Sequence, residues 1–184
     1  MTTTLRDLIY LTGFMGSGKS TIAPILANAL GYDVIDLDNE IVKSTGKKIT
    51  NIFLEEGEER FRSIERELLQ QMSLRHRCVV SLGGGTIANN ANLTLVKSSG
   101  ILTYLKTEDE EIFRRLRKKT DRPLLKNDEG ETLTDAELRA RIRHILGTRE
   151  HFYQQADIII ETMNQRVGLT VDALVRSLSR RIVE

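Results

Sequence analysis

Eight residues carry the most specific chemistry in the chain: Gly13-Phe14-Met15-Gly16-Ser17-Gly18-Lys19-Ser20, set directly after the apolar run Leu8-Ile9-Tyr10-Leu11 and before the helical pattern Ile22, Ile25, Leu26, Ala29 and Leu30. A phosphate chain is held by backbone N–H groups pointing at it, and Gly13, Gly16 and Gly18 let the backbone turn tightly with no Cβ in the way. Lys19 then reaches the β- and γ-phosphates, the Ser20 hydroxyl holds Mg²⁺, and the following helix adds the positive potential of its N-terminus. An ordinary glycine-rich strand-to-helix turn can share this spelling by chance. Here it sits in the strand, loop and helix setting that a P-loop requires, so the expected ligand is a nucleoside triphosphate.

Asp36-Leu37-Asp38 closes the next apolar run and, if the strand persists that far, puts two carboxylates on alternate sides of the backbone. One can help hold the magnesium shell through water, while the other accepts a hydrogen bond from an acceptor hydroxyl and orients it for attack. Asp38 can equally be the N-cap of the helix that carries Ile41 and Val42. Gly83-Gly84-Gly85 follows the third apolar run, at a strand carboxyl end where α/β sheets place their ligands. Three residues without Cβ there allow close approach along backbone N–H groups, although a flexible turn is the plainer explanation of a triglycine.

Arg62 has Glu58 four residues before it and Glu65 three after it, which makes a solvated ion-pair role available. Its planar fork is also the better cation for a substrate carboxylate. Arg149 invites the same two readings, and spacing does not choose between them. Residues 114 to 133 form a basic helix end followed by a polar, glycine-containing stretch that reads as a lid. Arg122 precedes Pro123, which marks the exit from the helix and frees the arginine to swing over the phosphates, where closure would exclude water. Most of the neighbouring cations are a solvated helix face; Arg115 and Arg122 are the two singled out for nucleotide contact. His76, His144 and His151 lack metal-ligand spacing, and a zinc site is not expected.

The elements that must position these residues alternate. Apolar runs at Leu8–Leu11, Val34–Leu37, Cys78–Leu82, Ile101–Leu105 and Ile158–Ile160 have helical periodicity between them, which predicts a parallel α/β sheet. The expected helices include 57–75, with Phe61, Ile64, Leu68 and Met72 on one face, 134–152, with Leu138, Ile142, Ile145 and Phe152, and a last helix with Val171, Leu174, Leu178 and Ile182. Pro24, in the second turn of the helix after the P-loop, predicts a kink there. At 184 residues the chain suits one domain, 1–184. Its 27 basic and 26 acidic residues leave a net charge of +1, which gives no case for nucleic acid or an anionic membrane. The lone Cys78, in an apolar run, reads as a buried core residue and suits a reducing compartment, and no apolar segment of spanning length precedes the P-loop. A cytoplasmic monomer acting on small molecules is expected.

In their order, the P-loop, Asp36-Leu37-Asp38, Phe61-Arg62-Ser63-Ile64-Glu65, the triglycine, Arg122-Pro123-Leu124-Leu125 and Arg149 resemble the shikimate kinase family, over nearly the whole chain. The resemblance implies a five-stranded parallel sheet of the nucleoside-monophosphate-kinase type with a mobile lid. It implies ATP-dependent phosphorylation of the 3-hydroxyl of shikimate to 3-phosphoshikimate, a step towards chorismate and the aromatic amino acids. The P-loop would be 13–20, the substrate-binding region 33–62 and the lid 117–131. Carried over by position, Gly16, Ser17, Gly18, Lys19, Ser20 and Thr21 contact ATP together with Arg115 along adenine and Arg122 at the phosphates. Asp38, Arg62, Gly84 and Arg149 hold shikimate, with the arginines clamping its carboxylate. Ser20 binds Mg²⁺ directly and Asp36 through water, and Lys19, Asp38 and Arg122 are the catalytic set. Whether Asp38 acts as base or only orients the hydroxyl stays open, because a loose transition state need not release the proton early. The chain departs from the family pattern at Pro24, in the long acidic stretch 127–131, and near Thr162–Val167, where a proline expected beside adenine is missing.

A gluconate-kinase-like enzyme would share the P-loop and lid but need not have arginines at 62 and 149. A nucleotide-dependent switch would leave Asp38 and the triglycine without a task, and the chain has no Asn-Lys-x-Asp guanine-reading element.

Overall fold

A computed structural model describes residues 6–117, 132–162 and 166–182. Five parallel strands, β1 (Leu8–Thr12), β2 (Asp33–Asp36), β3 (Cys78–Ser81), β4 (Ile101–Lys106) and β5 (Ile158–Glu161), form one sheet in the order β2-β3-β1-β4-β5. The helices around it are α1 (Lys19–Leu30), α2 (Leu37–Thr45), α3 (Ile49–Met72), α4 (Asn90–Ser99), α5 (Asp109–Leu116), α6 (Asp135–Tyr153) and α7 (Val167–Ile182).

The central strands are apolar on both faces because both are covered, as an all-parallel sheet requires. Leu8 and Tyr10 of β1 join Val80, Leu102 and Tyr104 under α3, where Phe61, Ile64 and Leu69 meet them. Ile9 and Leu11 point the other way, against Ile22 and Leu26 of α1 and Leu174 and Leu178 of α7. A third cluster, built on Phe14, Phe113, Leu116, Leu138 and Ile142, joins α5 and α6 to the loop after β1. Cys78 is buried.

Register brings the site loops together. Leu11 pairs with Ser81, and Leu82 N–H donates to Leu11 O at 3.0 Å, so the glycine loops that follow β1 and β3 leave the sheet side by side. At the opposite end of the sheet, Gly100 enters β4 where a Cβ would lie 2.4 Å from Leu8 O and 2.8 Å from the Tyr10 ring. A Gly100→Ala variant is therefore expected to lose about 3 kcal/mol, since the main chain of β1 must move to admit the methyl group. Urea unfolding checks this, and a change below about 0.5 kcal/mol would contradict it.

Every strand ends one residue from its expected limit, and two further differences bear on the site. β2 stops at Asp36 and not at Leu37, because the Asp36 carboxylate accepts from Asn39 N–H and caps α2. The two carboxylates therefore do not alternate along a strand, and Asp38 is not the cap: it lies in the first turn of α2. The helix expected over 57–75 begins at Ile49, is broken at Gly57 (φ 82°, ψ 170°), and ends at Met72. The proline in α1 causes no break; the helix runs through Pro24 from Lys19 to Leu30.

Candidate active site

The P-loop needs its glycines for two different reasons. Gly13 (φ 143°), Gly16 (φ 84°) and Gly18 (φ 102°) all have backbone conformations that L side chains rarely adopt. At Gly13 space is also lacking, since a Cβ would come within 2.7 Å of Leu105 O and 2.9 Å of Ser17 Oγ. Gly18 caps α1 with no side chain, and no acid occupies the first turn, so the N-terminal dipole of α1 is left for an anion. Lys19 Nζ donates to Gly13 O at 2.7 Å and Phe14 O at 3.0 Å, which folds the ammonium back over the loop. Ser17 Oγ is buried with no hydrogen-bond partner, an orphan that a phosphate oxygen would satisfy.

A cleft of about 690 Å³ runs from this loop to the triglycine, lined by Gly16 to Thr21, Asp36, Asp38, Gly83, Gly84 and Arg115, and closed at one end by Thr162, Val167 and Thr170. Arg115 is held by three partners: Nε donates to Glu111 Oε1 at 2.7 Å, Nη1 to Gly16 O at 3.0 Å and Nη2 to Thr162 O at 3.0 Å. It ties α5 to the P-loop and to the segment after β5. Residues 163–165 of that segment, where a proline was expected, lie outside the described residues.

The triglycine borders Asp38, the P-loop, Arg62 and Arg149, and a Cβ would be tight at Gly83 and Gly85 and in ordinary contact at Gly84. A methyl group on Gly83 would meet Asp38 Oδ1 at 3.0 Å and Thr86 Oγ1 at 3.0 Å. On Gly84 it would meet the P-loop, at 3.4 Å from Gly13 O and 3.5 Å from Met15 N. On Gly85 it would lie 3.1 Å from Arg62 Nη2 and 3.5 Å from Arg149 Nη2. The turn is glycine because a carboxylate, a phosphate loop and two guanidinium groups crowd against its backbone.

Arg62 makes the ion pairs its spacing allows, to Glu58 at 3.2 Å and Glu65 at 2.9 Å, and in addition faces Gly85. Burial would pull its pKa down, but Glu65 and then Glu58 hold it above the ordinary arginine value, so it stays charged. Glu65 is 1% exposed and is itself fixed by Thr86 Oγ1, which donates to it at 2.7 Å. Arg149 Nη1 donates to Gly84 O at 3.2 Å. Two guanidinium groups facing one point repel each other, and an anion seated between them would offset that repulsion.

The structure thus brings together Gly16, Ser17, Gly18, Lys19, Ser20, Thr21, Asp36, Asp38, Arg62, Gly84, Arg115 and Arg149. Arg122 and residues 118–131 of the expected lid lie outside the described residues. The ionic and polar supports Glu65, Thr86 and Tyr153 were not singled out as site residues. Their signals were the Arg62–Glu65 spacing of three and the Arg149–Tyr153 spacing of four on a helix.

Cation donors near the P-loop are all oxygen: the hydroxyl of Ser20 and the carboxylates of Asp36 and Asp38 line one cleft. That set fits a hard divalent ion completed by phosphates and water. Among the described residues there is no cluster of three or more histidines, cysteines or acids that would form a dedicated protein cage, and no helix long and apolar enough to cross a membrane.

Comparison with known proteins shows the same pattern along the chain. The family model described as shikimate kinase matches residues 15–179. A shikimate kinase of Chlorobium limicola is 50% identical over 95% of this chain and 88% of its own length. Among solved structures, a shikimate kinase from Bacteroides thetaiotaomicron superimposes with a TM-score of 0.86 at 33% identity, covering 94% of this chain and 98% of that one. One from Acinetobacter baumannii in complex with shikimate gives 0.83 at 34% identity, over 94% and 93% of the two chains.

Proposed function

The chain belongs to the shikimate kinase family, and from that premise we propose how its cleft performs the family reaction. It is an ATP-dependent kinase that phosphorylates the 3-hydroxyl of shikimate, giving 3-phosphoshikimate and ADP on the way to aromatic compounds. The observation that carries our assignment of roles is the convergence of Arg62 and Arg149 on Gly85, beside a turn whose first glycine packs on Asp38.

Shikimate carries one carboxylate and a set of ring hydroxyls. Seated with its carboxylate between the Arg62 and Arg149 forks and against the Gly84 backbone, it presents hydroxyls towards Asp38. ATP lies with its phosphates on Gly16 to Thr21 and its base towards Arg115, Thr162 and Val167. Lys19 leaves the Gly13 and Phe14 carbonyls for the β- and γ-phosphates, and Arg122 is the cation we assign to the closing lid. Mg²⁺ would be held by Ser20 directly and by Asp36 through water, and it would supply neutralisation of phosphate charge. Asp38 accepts a hydrogen bond from the attacking hydroxyl and keeps it in line with the γ-phosphorus. Little covalent work is left for the protein in such a transfer, so positioning and opposed charge do most of it.

The test is ADP release from MgATP with shikimate, gluconate, nucleoside monophosphates or water as acceptor, on wild type, Arg62→Ala and Arg62→Lys. Shikimate alone is expected to stimulate release. Losing a charge-assisted fork corresponds to about 1.5–3 kcal/mol, so Arg62→Ala is expected to raise the shikimate KM about 10- to 100-fold with the ATP KM nearly unchanged. Arg62→Lys keeps a cation beside buried Glu65, so the fold survives while the fork is lost, and the KM still rises. An unchanged shikimate KM in both variants would remove Arg62 from the clamp.

A further inference from the structure

We propose that Tyr153 is a positioning residue for shikimate: its hydroxyl holds the Gly84 carbonyl so that Arg149 is released to the substrate carboxylate. The inference rests on the clamp assigned above. Gly84 O has two donors, Arg149 Nη1 at 3.2 Å and the Tyr153 hydroxyl. A carbonyl oxygen has two lone pairs, so both are accommodated while the cleft is empty of substrate. Both donors come from one face of α6, four residues apart, and the turn they grip is the one that packs against Asp38 and the P-loop.

The two donors have different freedom. Arg149 is partly exposed and ends in a fork suited to a carboxylate, whereas Tyr153 is fully buried and its ring is fixed by packing. Its ring stacks on Tyr104 with centroids 4.9 Å apart, and the Tyr104 hydroxyl donates to Glu150 Oε2 at 2.8 Å, one residue from Arg149. Burial pushes the Tyr153 phenol up to about 12, so it remains protonated and a donor at any assay pH. When Arg149 turns towards an arriving carboxylate, Gly84 O keeps a partner because of Tyr153. Without that hydroxyl the half-buried carbonyl competes with the substrate for Arg149. The peptide is planar, so the same hydrogen bond also fixes the direction of Gly85 N–H beside the two arginines.

Tyr153→Phe removes the donor and keeps the stacked ring. It is expected to raise the shikimate KM about 5- to 10-fold, with kcat and the ATP KM within twofold of wild type and the thermal midpoint nearly unmoved. Tyr104→Phe, whose hydroxyl reaches Glu150 and not the turn, is expected to leave all of these unchanged. Arg149→Lys completes a double-mutant cycle: in that background Tyr153→Phe is expected to add less than twofold, because the fork it would liberate is gone. Three results would overturn the proposal. These are an unchanged shikimate KM in Tyr153→Phe while Arg149→Lys raises it, full additivity of the two changes, or a fall in kcat with a parallel rise in both KM values that marks a packing defect. An Arg149→Lys variant with wild-type shikimate KM would instead overturn the clamp itself, and this inference with it.

Discussion

A Lys19→Met variant is expected to phosphorylate shikimate about 10³-fold more slowly than wild type, with its shikimate KM within about twofold, measured as steady-state ADP release at saturating ATP. The magnitude follows from what the ammonium opposes. In a loose phosphoryl transfer negative charge spreads over the γ-oxygens, and removing one preorganised cation or donor from such a centre costs roughly 10²- to 10⁵-fold in other systems. Lys19 stands beside that centre, since its Nζ rests on the Gly13 and Phe14 carbonyls at 2.7 and 3.0 Å and exchanges these loop oxygens for phosphate oxygens. Methionine keeps a stem of comparable length and helix propensity, so α1 is not weakened at its first residue. Gly18 offers no side-chain cap and the first turn has no acid, so the α1 dipole still faces the phosphates, but its roughly half charge does not replace a full ammonium. A loss smaller than tenfold would mean that the helix dipole, the magnesium ion and the lid carry the phosphate charge between them.

The sheet was legible because the central strands, buried on both faces, must be continuous apolar runs, and each of the five expected runs, the partly exposed edge strands β2 and β5 included, became a strand with its end shifted by one residue. Helix ends were less legible, because they depend on single caps. Asp36 and Asp38 are both good N-cap residues, and only the position of Asn39 N–H decides that Asp36 takes the role. Gly57 explains the misplaced start of α3: the sequence shows one amphipathic stripe from Phe61 onward, while the preceding turns, with Ile52 buried and Leu54 86% exposed, belong to a separate helical piece. Pro24 did not break α1 even though its ring opposes the carbonyl of Ser20, and Ala23, Leu26 and Ala27 buried around it show the packing that holds the helix.

Within the site, the P-loop and the carboxylates at and just after the end of β2 stand out by type and position, whereas residue type and spacing leave Arg62 and Arg149 with two readings each. Arg62 and Arg149 are 87 positions apart in the chain, and nothing in their spacing says that both face Gly85. That juxtaposition is set by β3 lying between β1 and β2 and by α6 crossing the carboxyl end of the sheet to reach Gly84. The triglycine was read as a place of close approach, and the structure gives the reason in three separate contacts. Glu65 and Tyr153 carry no motif of their own. A buried glutamate looks like any helical glutamate until Thr86 and Arg62 are seen on its two oxygens.

Asp38→Asn is the second large effect, and it separates two roles that geometry alone leaves joined. The side chain lies in the first turn of α2, and its Oδ1 packs against the Gly83 backbone, at 3.0 Å from where a Cβ would stand. Asparagine preserves that packing and one acceptor oxygen but cannot take a proton. If the carboxylate receives the hydroxyl proton during transfer, kcat is expected to fall about 10²- to 10⁴-fold with a shikimate KM within about fivefold. If it only orients the hydroxyl, the remaining acceptor does most of that work and the fall stays near tenfold or less. Loss of folding does not confuse the outcome. Asp36 and Glu40 still place negative charge at the N-terminus of α2, and removing one further charge there costs about 0.3–1 kcal/mol, a small shift of the thermal midpoint. We expect the larger fall, because Asp38 is the carboxylate beside the triglycine turn that Arg62 and Arg149 also face, where we propose the acceptor sits. Asp38→Glu sharpens the reading: it keeps a base but moves it by one methylene from its place beside Gly83, so it too is expected to be slow, and a glutamate variant near wild-type rate would show that the position of the carboxylate does not matter to the transfer.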